Sequence, residues 1–170
     1  MNKWTCQLSA HEMQIAHYLG KLRCETAKDD DSTDDTGIKK SYNEREKQNI
    51  IACIGELAVS KMLNVYWSAM AWMQPDVGGY IEVRSIVEDW QNLIVRFPDK
   101  DKSPMVLVLV QENVCTAKGW DFVENIRKEG VFSNDKGVPY WRTTKAHKFK
   151  DMDELLLRHL NYQKRLNKFD

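Results

Sequence analysis

Residues 75–84, reading PDVGGYIEVR, gather more chemistry-bearing side chains than any other stretch of this chain. Asp76 stands in a turn, and the β-type alternation after it puts Glu82 and Arg84 on one face of a strand. An aspartate and a glutamate delivered to one place from a turn and a strand form a hard, anionic oxygen cluster. That is the donor type Mg²⁺ prefers, with Mn²⁺ as its substitute. Two acids beside a cation also suit phosphodiester chemistry, because a metal polarises the phosphoryl oxygen and acidifies water while a basic side chain stabilises developing negative charge. Arginine stays protonated, so Arg84 can hold a phosphate but cannot accept a proton.

Glu56 is a third acid with an unusual setting. Ile50, Ile51, Ile54, Leu57, Ala58 and Met62 form the core stripe of a helix expected over 41–63, and Ala52, Cys53, Val59 and Leu63 extend its apolar surface. At about 100° per residue, Glu56 falls between Leu63 and Cys53 rather than on a polar face. A carboxylate there needs a partner, a metal or a proton. Lys61 or a basic strand residue is the plain structural partner. Gly55 beside it costs a helix interior about 1 kcal/mol relative to alanine, which points to close approach of the helix to a sheet. The bland readings of the other two acids are a turn aspartate at position 76 and an exposed edge strand at 82–84.

The elements that must position these groups follow from local signals. Capping boxes at Ser9 to Glu12 and Ser41 to Glu44 start helices over 9–27 and 41–63. Between them, 28–40 is an acidic loop, solvated and lacking the glycine and terminal glutamate of an EF-hand. Strands are expected at 65–72, 79–87, 92–97 and 105–111. The run MVLVLV has no alternation and should lie mid-sheet, buried on both faces, with the strand before it internal as well. A short helix over 121–128 should end at Gly130, an extended piece follows Gly137, and 151–166 closes the chain with Leu155, Leu156, Leu160 and Leu166 inward. The sum is one α/β domain over 1–170, with a mixed central sheet of four to five strands flanked by helices.

Composition bounds the partners. With 25 basic and 25 acidic residues in 170, the net charge is zero, so any nucleic-acid contact must come from a local patch. The segment 142–150, with Arg142, Lys145 and Lys148, is the clearest one, and Trp90, at an apparent hairpin tip, is the best aromatic candidate for a base. The four cysteines are far apart and form no CxxC pair, which implies free thiols and no zinc site. His11 and His17 do not share a helix face, and no glycine-rich phosphate loop or GxSxG elbow is present. No apolar run approaches the roughly 20 residues that span a bilayer, so the expectation is a cytoplasmic protein without membrane contact.

Gly55, Glu56, Leu57 and Ala58 on a helix, then Pro75 and Asp76, then Glu82, Val83 and Arg84 on a strand resemble the three signatures of the PD-(D/E)XK nuclease superfamily, with ExR in place of ExK. Gly119 and Trp120, and the extended piece near Trp141, resemble the layout of its small phage and prokaryotic members. The resemblance implies a restriction-endonuclease-like fold and a divalent metal held by Asp76 and Glu82. It gives Glu56 the place of the helical acid, which joins the site or orients a ligand. Cleavage of nucleic acid, DNA rather than RNA, and a possible homodimer complete the expectation. Three arrangements accommodate Arg84: the metal alone generates the nucleophile, Lys100 or Lys102 takes over the missing lysine's role, or catalysis is lost. The alternative function is therefore an inactive nuclease-fold module for nucleic-acid binding or assembly. A further one is an interaction protein whose acidic loop engages a basic partner.

Overall fold

The computed structural model describes residues 3–27, 40–70, 75–134 and 139–166. Both capping boxes form. Ser9 and Ser41 accept the amides of Glu12 and Glu44, whose carboxylates in turn accept the cap amides at 2.7 and 2.9 Å. They open α1 (Ala10–Thr26) and α2 (Tyr42–Leu63), and Asn64, with φ at 54°, closes α2 in the left-handed conformation.

The main sheet contains β1 (Thr5–Gln7), β2 (Glu82–Ile86), β4 (Pro104–Gln111) and β5 (Val114–Phe122), in the order β1-β5-β4-β2. The pair β2 and β4 is parallel, and the other two pairings are antiparallel, so the sheet is mixed. As its unbroken apolar run implies, β4 is buried on both faces. Val106, Val108 and Val110 join the core that includes α2 residues and Met152 and Leu155 of α4 (Met152–Leu166). Met105, Leu107 and Leu109 face the opposite way, towards Val123 and Ile126 of α3 (Val123–Glu129) and Val95 of β3 (Ile94–Arg96). Each such fully buried side chain contributes roughly 1.5–3 kcal/mol, which makes β4 the organising strand of both cores.

Several expectations need correction. A second sheet, β3-β7-β6, is built antiparallel from β3, β6 (Val131–Ser133) and β7 (Tyr140–Arg142), where a single sheet was expected. β2 is an edge strand of the main sheet rather than an internal one. Of the strand expected at 65–72, residues 65–70 make a turn with one bridge from Trp67 to Val77, because the chain must reverse immediately after Asn64, and 71–72 lie outside the described residues. The helix expected from Asp121 begins at Val123, since Asp121 is still in β5. On α4, Met152, Leu155 and His159 are buried while Leu160 is exposed. The acidic loop lies outside the described residues apart from Lys40. Cys24, Cys53 and Cys115 are buried free thiols, and Cys6 is partly so. Among the described residues no helix is long and apolar enough to cross a membrane.

Gly55 is where α2 meets β2. A Cβ built there would stand 2.0 Å from Ser85 Oγ and 3.1 Å from Ser85 Cβ. The expected close approach of helix and sheet is therefore present. Gly55→Ala should destabilise the protein by about 1–3 kcal/mol in urea unfolding, because overpacking outweighs the gain in helix propensity. Ser85→Ala in the same chain should return part of that loss. An unchanged midpoint in the single variant would show that the helix can shift freely here.

Candidate functional site

The turn that carries Asp76 is fixed from both sides. Gly78 and Gly79 have φ of 62° and 77°, a reversal that β-carbons oppose, and it lets Val77 and Ile81 exchange both backbone bonds at 3.1 and 3.0 Å. Ser68 Oγ donates to the carbonyls of Pro75 and Asp76, and Ser68 N also donates to Asp76 O. With its backbone held, the Asp76 side chain reaches β2, where Oδ2 accepts the Val83 amide at 2.8 Å. The free edge of β2 is thus capped by the aspartate itself.

Glu82 and Arg84 lie half-buried on one face of β2, as the alternation requires. Arg84 Nη2 donates to Asp99 Oδ1 at 3.0 Å, and Nη1 makes a long contact of 3.3 Å to its neighbour's carbonyl, Val83 O. Asp99 is itself held through Oδ2 by the Arg96 amide at 2.8 Å. Glu82 has no hydrogen-bond donor or ion-pair partner among the described residues. Lys100 is exposed, and its charge still reaches Glu82.

Glu56 is only 3 % exposed and is fully engaged. Arg23 of α1 grips it in bidentate fashion, Nη1 to Oε1 at 2.8 Å and Nη2 to Oε2 at 2.6 Å, and Trp67 Nε1 adds a bond to Oε2 at 2.9 Å. Arg23 Nε also binds Ala69 O at 2.6 Å, tying the 65–70 turn to α1. The partner is neither Lys61, which pairs with Glu12, nor a strand residue. Both oxygens of Glu56 being taken, it stands outside the open donor set, contrary to its expected place as a third ligand. Its charge is still felt at Asp76 and Glu82.

Cancelling the pairs leaves a simple electrostatic result. Arg23 pairs with Glu56 and Arg84 with Asp99, while Asp76 and Glu82 have no ion-pair partner among the described residues and feel Arg84 only at longer range. Desolvation, then the charge of Glu56, pushes Asp76 up to about 7 despite the Val83 bond that opposes the rise. Desolvation also raises Glu82, against the lowering effect of Arg84. Carboxylate oxygens are the hard donors that divalent cations take, and Asp76 and Glu82 are the residues here that could supply them. Among the described residues no three His, Cys, Asp or Glu side chains gather to hold a metal.

The expected nucleic-acid contacts lie elsewhere. Trp90 is 69 % exposed, on a turn linking strands of two different sheets rather than at a hairpin tip. Arg142, Lys145 and Lys148 are exposed, whereas between them the His147 side chain is buried against Asp121 and Glu129. Trp90 and Lys145 line one cleft. Sequence reasoning missed Arg23 and Asp99, the two residues that decide which acids remain free. Nothing in their local sequence marks either, because each pairing is made only by the tertiary fold. No family model, no curated protein and no solved structure matches the chain.

Proposed function

We propose that this chain is a Mg²⁺-dependent nuclease that hydrolyses phosphodiester bonds in DNA, on a restriction-endonuclease-like scaffold. The observation that carries the reading is the pair of carboxylates Asp76 and Glu82, which have no ion-pair partner among the described residues and whose charges bear on each other. The order of helical acid, turn aspartate and strand ExR supports it, as does the mixed sheet that presents them.

Asp76 and Glu82 would hold the ion. The chemistry such an ion supplies is Lewis-acid polarisation and acidification of water. Arg84, oriented by Asp99, keeps guanidinium donors to spare for a phosphate and stabilises charge developing there. Glu56, neutralised by Arg23, holds the 65–70 turn in place through Trp67 and biases the field at Asp76. Arg84 takes no proton in this scheme.

The test is cleavage of linear duplex, single-stranded DNA and RNA with Mg²⁺, with Mn²⁺ and with EDTA. Metal-dependent loss of DNA is expected. Intact DNA in every metal condition would overturn the reading, and preferential loss of RNA would correct its substrate. One observation favours a second reading, a binding module on the same scaffold: Arg84 replaces a proton acceptor and is already paired. That reading expects Mg²⁺ binding without cleavage.

Metal binding carries its own pH signature. The ion must displace the proton that Asp76 holds below about 7. Mg²⁺ affinity should therefore weaken by about tenfold per pH unit below that point and level off above it. Calorimetry in two buffers of different ionisation enthalpy should show proton release at pH 6 and almost none at pH 8. Equal proton release at both would remove Asp76 from the ligand set.

A further inference from the structure

A cleft of about 550 Å³ opens beside the β4 face that points away from α2, between the 87–92 turn and the 143–149 segment. Its apolar lining includes Ile86, Leu107 and Phe149, while Trp90 and Lys145 stand at its margin. Both walls are braced. Gln91 Oε1 accepts the amides of Val87 and Glu88 at 2.9 and 3.0 Å, which fixes the turn bearing Trp90. Opposite, Thr143 exchanges bonds with the Leu93 backbone, its amide donating to Leu93 O and its Oγ1 accepting Leu93 N.

The charges in the cleft do not cancel completely. Lys118 pairs with Asp89 at 2.6 Å, but Lys145 has no acid partner among the described residues. An indole held in solvent by a braced turn and an unpaired ammonium, over an apolar floor, match a flat aromatic ring that carries an anion. The volume lies in the range of small-ligand pockets. Ile86 follows Glu82 and Arg84 on the same face of β2, about 13 Å beyond Glu82 along the strand. One short segment of substrate could span both places. A base still stacked in a duplex offers no free face to Trp90, whereas an unpaired one does.

We infer that this cleft seats one unpaired deoxynucleotide of a DNA strand, its base stacked on Trp90 and a phosphate at Lys145. The identity of the ligand as DNA rests on the nuclease reading, while the cleft itself is assigned from its own geometry.

The experiment follows binding of labelled oligothymidylate and of a blunt duplex by fluorescence anisotropy, at low salt in EDTA, so that no metal or cleavage is involved. Trp90→Ala should weaken oligothymidylate binding by about 5- to 100-fold, the worth of one stacked base, and Trp90→Phe should recover most of it. Lys145→Ala should weaken binding and make the salt dependence shallower by about one phosphate contact. The duplex should bind more weakly and ignore position 90. Oligothymidylate affinity unchanged in Trp90→Ala, or a duplex equally harmed by it, would overturn the assignment. If the wild-type chain cleaves DNA but position 90 is silent, the cleft assignment alone falls. If position 90 governs binding but no metal supports cleavage, the nuclease reading alone falls.

Discussion

Asp76→Asn is expected to abolish Mg²⁺-dependent cleavage, by about a thousandfold or more, and at the same time to make the metal-free protein more stable at pH 8. The first effect follows from removing one of two ligands, since metal stabilisation of the reacting phosphate is worth several kcal/mol and each 1.36 kcal/mol is tenfold in rate. The second follows from the field at the site. Asparagine keeps the size of the side chain and an oxygen for the Val83 amide, and it removes a charge that has no ion-pair partner among the described residues. Glu82→Gln should lose cleavage in the same way.

The pH dependence separates charge relief from ordinary repacking. A carboxyl whose pKa is about 7 in the folded chain and near 3.8 in the unfolded one binds its proton more tightly when folded. Its favourable contribution is fully present below about pH 4 and is lost as pH rises through about 7. Wild-type protein in EDTA should therefore melt lower at pH 8 than at pH 5. Asp76→Asn should flatten that slope, with a gain on the order of 1–3 kcal/mol at pH 8, or roughly 2–4 °C per kcal/mol for a chain of this size. Mg²⁺ at pH 8 should raise the melting temperature of the wild type and leave the variant unmoved. Identical melting of the two proteins at pH 8 would mean that Asp76 is compensated after all.

These properties were unevenly legible in the sequence. Ser9 and Ser41 announce their helices because capping is local, decided within four residues. The burial of β4 is legible because six consecutive apolar residues leave no polar face. β5 is hidden for the opposite reason: Ala117, Lys118 and Gly119 are weak β-formers, and the strand is held by its ladder with β4, which shifts register between Leu107 and Val108. The second sheet consists of three-residue strands that no periodicity can mark. At the site, Asp76, Glu82 and Arg84 could be placed because turn and alternation are near-neighbour effects. That Glu56 is occupied could not, since its partner lies 33 residues away on a helix whose sequence shows Arg23 as one surface charge among several. Sequence therefore pointed to the acids, and only the fold shows which of them are neutralised.

Arg23→Met supplies the sharpest test of that division. It leaves Glu56 almost fully buried with the Trp67 indole as its remaining donor, and an uncompensated buried carboxylate typically costs 3–5 kcal/mol. The variant should unfold at clearly lower urea, and Trp67 should lose its fixed environment as the 65–70 turn is released from α1. Adding Glu56→Leu should restore most of the stability, because a buried ion pair exchanged for apolar groups is close to neutral. Recovery should fall short by about 1–2 kcal/mol, since Ala69 O has lost its donor and, with Glu56 gone, Trp67 Nε1 has lost its acceptor. Mg²⁺ then distinguishes two roles for Glu56. If it acts only through its field, the ion stabilises Arg23→Met and wild type by amounts set by the same two ligands. If the freed carboxylate can turn and join Asp76 and Glu82, Mg²⁺ stabilises Arg23→Met more than wild type, and the excess disappears in the double variant. In the wild-type chain the bidentate grip of Arg23 occupies both oxygens of Glu56, so the proposed metal site is expected to draw on Asp76 and Glu82 alone.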